Sequence, residues 1–263
     1  MISVIIPAYN EEKYLPLCLD ALKKQNFKGK LEIIVVDNGS SDRTADVARG
    51  YGIRVVTEKH RGITWARQKG LEESRGDIIV AVDADMVLTP NWLTLAVKNL
   101  KANPKTAAVK GTVFYYGVKN QETEALLNFF NLTLCLFEVV IKNLVRRGIL
   151  SPCGSLAVKR EVLLKAGGWN REIDFYGEDL DLVNRLMKIS RVKYLPHLVS
   201  YTSFRRFRKE GLVKTYLNYS LNGLWLILFR RPFRNNESME KLAVKFKSVL
   251  NKIEDSIEKN EGL

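Results

Sequence analysis

With 263 residues, 46% hydrophobic and 27% charged, the chain has the composition of an ordinary globular protein, long enough for one α/β domain with an appended helical piece. Lys and Arg outnumber Asp and Glu by 42 to 29, a net charge of +13 that points to an anionic partner: a phosphorylated substrate, nucleic acid or anionic lipid. No window reaches about 18 uninterrupted apolar residues, which argues against a membrane-spanning helix; the three cysteines, Cys18, Cys135 and Cys153, lack zinc-site spacing and a C-x-x-C pair, as expected of reduced thiols in a cytosolic protein.

Met1 runs directly into the first strand, without the basic segment and cleavage site of a secretory signal. Short apolar runs at residues 2–6, 31–36, 53–56 and 78–82 alternate with helical patterns at 11–25, 42–51 and 62–74. Continuous apolar strands alternating with helices predict a mostly parallel sheet covered on both sides. In that architecture ligands bind beyond the carboxyl ends of the strands. Polar groups follow three of the runs: Pro7-Ala8-Tyr9-Asn10-Glu11, Asp37-Asn38-Gly39-Ser40-Ser41-Asp42 and Asp83-Ala84-Asp85. Asn10 and Ser41 also suit capping of the helices that follow them.

Asp83 and Asp85 end a buried run. In extended backbone they leave one face roughly 7 Å apart. At an effective dielectric near 20 their repulsion is then roughly 2 kcal/mol, which calls for a nearby cation. A divalent metal is one candidate. A strand-end turn, with one Asp capping a helix that begins near Thr89-Pro90-Asn91, is the other.

Three phrases in order, SVIIPAYNEEKYLPLCLDAL, EIIVVDNGSSDRTADVA and GITWARQKGLEESRGDIIVAVDADMV, resemble the family 2 glycosyltransferases. The likeness runs from Ser3 to about Leu195, roughly three quarters of the chain. It implies a GT-A fold, Rossmann-like with helices flanking the sheet, as a domain over residues 1–200, followed by a basic, aromatic helical extension over 201–263. It also implies an inverting, metal-dependent enzyme whose donor is a nucleotide-diphosphate sugar. The Pro7, Ala8 and Tyr9 backbone, Glu11 and Asp37 would hold base and ribose, because carboxylates accept from base N–H groups and ribose hydroxyls. Asp85 would ligate Mg²⁺ or Mn²⁺, with Asp83 nearer the ribose and the metal's waters; oxygen ligands suit either ion. Arg67, in the pattern G-x-x-x-A-R, would support the donor, or else form a surface ion pair with Glu11 or Asp83.

Downstream, Glu178, Asp179 and Asp181 open a helix, as its dipole favours. The resemblance maps Glu178-Asp179 onto the family's acceptor motif and makes Asp179 the general base. His197 falls where some GT-A enzymes place a metal-binding histidine; a structural histidine is the alternative. Arg205 and Arg206, after Thr202 and Ser203, suit a clamp on the diphosphate or an acceptor phosphate. The Gln-x-x-Arg-Trp signature of processive synthases is missing, which favours single sugar transfer.

Residues 124–147 predict a long, partly buried helix over the acceptor side. Residues 201–234 carry eight Arg or Lys against one Glu and embed Tyr216, Tyr219, Trp225 and Phe229 among leucines. This pattern fits either a core-packing helix or an interfacial anchor for a lipid-linked acceptor at the cytoplasmic membrane face. Residues 239–257 have 3.6 periodicity, for docking on the domain or pairing as a homodimer. Rival readings are a nucleotidyltransferase, for which the glycine-rich signature after the first strand is lacking, and a non-catalytic sugar-nucleotide-binding domain. Nucleic acid is not expected as a partner, since the charge is concentrated late and no RNA or DNA motif occurs.

Overall fold

The computed structural model describes residues 1–118, 120, 123–125, 127–129, 132–133, 154–173, 177–211 and 215. Its strands are β1 (Ile2–Ala8), β2 (Leu31–Asp37), β3 (Arg54–Thr57), β4 (Ile78–Val82), β5 (Met86–Leu88), β6 (Thr106–Tyr116), β7 (Ser155–Lys159) and β8 (Arg191–Ser203). The helices are α1 (Leu15–Lys23), α2 (Thr44–Gly50), α3 (Ile63–Glu73), α4 (Trp92–Ala102), α5 (Arg160–Lys165), α6 (Glu178–Ile189) and α7 (Arg205–Glu210). One eight-stranded sheet runs in the order β3-β2-β1-β4-β7-β6-β8-β5. β1 pairs in parallel with β2 and β4, β2 with β3, and β6 with β8; β7 runs antiparallel to both its neighbours, and β5 antiparallel to β8.

The apolar runs are continuous because both faces of the sheet are covered. Ile2, Val4 and Ile6 of β1, with Val80 and Val82 of β4, pack with Leu15, Leu19 and Leu22 of α1 and Trp92, Leu93 and Ala96 of α4. Ile5, Ile79 and Ala81 point the other way, against Ala66 and Leu71 of α3 and Leu182, Val183 and Leu186 of α6. Each fully buried aliphatic side chain of this kind contributes about 1.5–3 kcal/mol.

The helices start later than the sequence pattern suggests. α1 opens at Leu15 with Pro16 in its first turn, where a missing N–H costs nothing, and residues 11–14 form a turn closed by Leu15 N donating to the Glu11 carbonyl at 2.9 Å. Asp83-Ala84-Asp85 is neither extended nor a cap. Met86 N donates to the Asp83 carbonyl at 3.0 Å, closing a turn between β4 and β5, and α4 begins after Asn91 without a side-chain cap. Asn10 and Ser41 do not cap helices either. Asn10 adopts a left-handed φ of 55° and accepts from Ser41 N at 2.8 Å, tying the loop after β1 to the loop after β2.

β6 and β8 share the longest pairing, interrupted where Gly111 and Thr112 face Leu195 and Val199. A Cβ on Gly111 would lie 1.7 Å from the Leu198 carbonyl oxygen, so this irregularity requires glycine. β8 runs through residue 200, and α7 then buries Phe207 against Tyr115 with ring centroids 5.1 Å apart. The helix expected over 124–147 lies largely outside the described residues. The segments 216–234 and 239–257, Cys135 and Cys153 lie wholly outside them. Cys18 is a buried free thiol. Among the described residues no helix is long and apolar enough to cross a membrane.

Candidate active site

The parallel register sets Ala8 of β1 beside Asp37 of β2, so the loops after both strands share one rim. Pro7 and Ala8 are buried strand residues, and Asp37 accepts from Ser40 N at 3.1 Å. Asn38 ties this rim together. Its amide donates to the carbonyls of Glu58 (3.0 Å) and His60 (2.7 Å) and accepts from Gly62 N at 2.9 Å. Beyond the strand ends Tyr9 is exposed, with the Arg61 guanidinium 3.7 Å from its ring centroid. The rim is therefore polar below and aromatic above.

The turn after β4 brings its two acids to different arginines. Arg67, on α3, is 1% exposed. It donates to Asp83 at 2.7 Å and to Asp179 at 2.8 Å, with Glu178 at 3.5 Å. Burial works against its charge, but Asp179, Asp83 and Glu178 together outweigh that and raise its pKa. Burial likewise pushes Asp179 above the ordinary carboxylate range; Arg67 opposes this, and the charges of Glu178 and Asp83 add to it. Gly154 closes in on the turn from the start of β7: its carbonyl accepts from Asp83 N at 3.1 Å, and a Cβ there would meet the Met86 sulfur at 2.5 Å.

Asp85 turns toward Arg205. The Arg205 Nε lies 3.2 Å from the Asp85 carboxylate, its Nη2 donates to Glu11, and its guanidinium lies 4.4 Å from the Tyr14 ring centroid. Asp85 also accepts from the Thr202 hydroxyl at 3.4 Å, and its carbonyl from the Tyr116 hydroxyl at 3.0 Å. Burial raises the pKa of Asp85, and the charge of Asp83 adds to it, while Arg205 and Arg206 oppose the rise. Burial pushes Glu11 up to about 7, against the ion pair with Arg205. The second Glu11 oxygen, Oε2, is buried without a hydrogen-bond partner among the described residues.

Glu11, Asp83, Asp85, Glu178, Asp179, Arg67 and Arg205 thus form one acidic cleft with two arginines in it. The turn directs the carboxylates of Asp83 and Asp85 each to its own arginine. One expectation needs correction. Arg67 forms no surface pair and does not meet Glu11; it is a core residue, and Arg205 is the partner of Glu11. His197 is exposed on β8, five residues before Thr202. Asn38, Tyr14 and Tyr116 carry contacts that no motif in the sequence singles out.

The family model for glycosyl transferase family 2 matches residues 3–165. A probable glycosyltransferase of Bacillus subtilis, YdaM, is 28% identical over 214 residues, covering 76% of this chain and 50% of its own length. A cholesterol galactosyltransferase of Borreliella burgdorferi is 26% identical over 252 residues, covering 89% of this chain and 69% of its own. The chain spans about half the length of the Bacillus relative. Among solved structures, a mannosyltransferase of Pyrobaculum calidifontis in complex with GDP-Man and Mn²⁺ superposes with a TM-score of 0.60 at 24% identity, over 89% of this chain and 65% of that one. Glucosyl-3-phosphoglycerate synthase of Mycobacterium tuberculosis, in complex with Mn²⁺, UDP and product, gives a TM-score of 0.56 at 24% identity, over 86% of this chain and 78% of that one. The fold is therefore the GT-A fold, and the chain belongs to glycosyl transferase family 2.

Proposed function

We propose that this chain transfers a single sugar, with inversion, from a nucleotide-diphosphate sugar to the hydroxyl of an acceptor, with Asp179 as general base. The observation that carries this reading is the meeting of Asp83 and Asp179 on one guanidinium, which ties the turn after β4 to the first turn of α6. The backbone of Pro7, Ala8 and Tyr9, with Glu11 and Asp37, would take the base and ribose. Arg206, and Arg205 once it is free of Asp85, would take diphosphate oxygens.

A divalent cation fits what the chain offers. Glu11 Oε2 is a buried, unpartnered oxygen beside the Asp85–Arg205 pair. Among the described residues no group of three or more His, Cys, Asp or Glu is gathered to hold a metal. Asp85, with Asp83 nearby, would then be the protein's share of an oxygen shell completed by diphosphate and water, which suits Mg²⁺ or Mn²⁺. When bound, such an ion supplies Lewis-acid stabilisation of the departing diphosphate.

In the reaction the acceptor oxygen attacks the anomeric carbon while Asp179 takes its proton. The carbon–oxygen bond to the diphosphate breaks, and the nucleotide diphosphate leaves with the electron pair. The pKa of Asp179, raised by burial, brings it closer to neutral pH, where a base works best. The names of two relatives, the cholesterol galactosyltransferase and a 4,4'-diaponeurosporenoate glycosyltransferase, support an apolar or lipid-linked acceptor. The part of the basic, aromatic segment 201–234 that follows Arg205, Arg206 and Phe207 would hold the enzyme at the cytoplasmic face of an anionic membrane.

Release of nucleotide diphosphate from a panel of UDP- and GDP-sugars, with and without Mn²⁺, tests the reaction. Turnover on at least one donor is expected. Tight metal-dependent nucleotide binding with no turnover on any donor or acceptor would replace it with a non-catalytic binding domain. Asp85→Asn is expected to abolish metal-dependent donor binding, read by calorimetry.

A further inference from the structure

We infer that the Arg205 guanidinium is a resident counter-cation on Asp85, and that a divalent cation entering the cleft takes Asp85 by displacing it. This rests on the assignment of Asp85 as the metal-binding carboxylate proposed above. Arg205 touches both Asp85 and Glu11, so one fixed positive charge serves the two acids. Its two contacts differ. The Asp85 contact, through Nε at 3.2 Å, is the longer, while Glu11 and the Tyr14 ring hold the other end of the guanidinium. Arg205 therefore has somewhere to remain when Asp85 is taken from it.

Two further features make exchange feasible. Asp85 keeps its place without Arg205, because the Thr202 hydroxyl bonds its carboxylate and the Tyr116 hydroxyl bonds its carbonyl. Arg205 is the first residue of the six-residue helix α7, and its side chain is 32% exposed, so a small rotation toward solvent disturbs no core packing. A metal arriving alone must compete with this internal cation. A metal arriving with a diphosphate meets less opposition, since the freed guanidinium gains phosphate oxygens as new partners. Arg205 thereby couples the binding of metal and of nucleotide diphosphate, each favouring the other.

The experiment measures Mn²⁺ binding by electron paramagnetic resonance, with Mn²⁺ alone and then with saturating UDP or GDP, on wild type, Arg205→Gln and Asp85→Asn. Arg205→Gln is expected to tighten binding of Mn²⁺ alone by about tenfold and to shrink the enhancement that the nucleotide brings. Mn²⁺ affinity in Arg205→Gln that is equal to or weaker than wild type overturns the exchange. Asp85→Asn separates the two ideas: if it binds Mn²⁺ and nucleotide as wild type does, the metal assignment itself falls. A second readout needs no folded variant at position 205. In wild-type protein labelled with ¹⁵N-arginine, one Nε–H resonance is expected to shift on addition of Mg²⁺ and UDP together, and an unchanged arginine spectrum refutes the displacement.

Discussion

Arg67 and Arg205 both bind carboxylates in the same cleft, yet one is 1% exposed and the other 32%. Arg67 rises from α3 through the core and meets Asp83, Glu178 and Asp179 with its own side chain shielded from water. Arg205 comes from the last described helix with its side chain partly open to solvent, and meets the largely buried carboxylates of Glu11 and Asp85. Buried charges depend on their partner, because removing it strands ions in a poor solvent. A wetter pair can be broken and its members rehydrated or reprotonated. The same pairing of guanidinium and carboxylate thus makes a fixed strut on one side and an exchangeable contact on the other.

The sharpest way to probe the Arg67 side is through chemistry. Asp179→Asn is expected to leave donor affinity near normal and to lower kcat by about 10²–10⁴, the usual contribution of a positioned base. Full activity in that variant would move the base elsewhere. Next in size is stability: Arg67→Met leaves three acids without their cation and is expected to cost about 3–5 kcal/mol in urea unfolding. A variant as stable as wild type would show that Arg67 is not the strut described.

On the Arg205 side the effects are smaller. Glu11, at about 7 in the folded protein and 4.5 ordinarily, holds its proton longer than the unfolded chain does. The native state then binds more protons between those values, so its contribution to stability is full below about 4.5 and is lost as pH rises through about 7. The expected slope is at most about 1 kcal/mol per pH unit over that range, and Glu11→Gln should flatten it in urea midpoints taken from pH 5 to 8. Last, Arg205→Gln is expected to cost about 1 kcal/mol, less than Arg67→Met, because Arg205 is partly exposed and Glu11, already pushed up to about 7 by burial, can take up a proton when its cation is removed. A loss as large as that of Arg67→Met would erase the contrast.

Much of the first half of the fold was legible. The four predicted strands recur within a residue or two, because strands buried on both faces cannot afford polar interruptions and their ends are marked by Asp37 and Asp83. The helix starts were less so: Pro16 fits any first-turn position, and the turn at residues 11–14 carries no distinctive spacing. Strands β5 to β8 were not assigned. They pair antiparallel or across long separations, and Lys110, Tyr116 and Thr202 blur the apolar pattern that would have marked them.

The candidate acids were visible one by one, since each follows an apolar run or opens a helix. Which arginine meets which acid was not, for the partners are 112 residues apart for Arg67 and Asp179 and 194 for Arg205 and Glu11.

Sequence alone determined the alternation of strands and helices, the family likeness and the supply of carboxylates at the strand ends, because periodicity and short motifs are local properties of the chain. Tertiary structure decided the division of those carboxylates between a buried and a partly exposed arginine. Burial and pairing across the whole chain set the strength of a charge's interactions, and neither is encoded in any one stretch of residues.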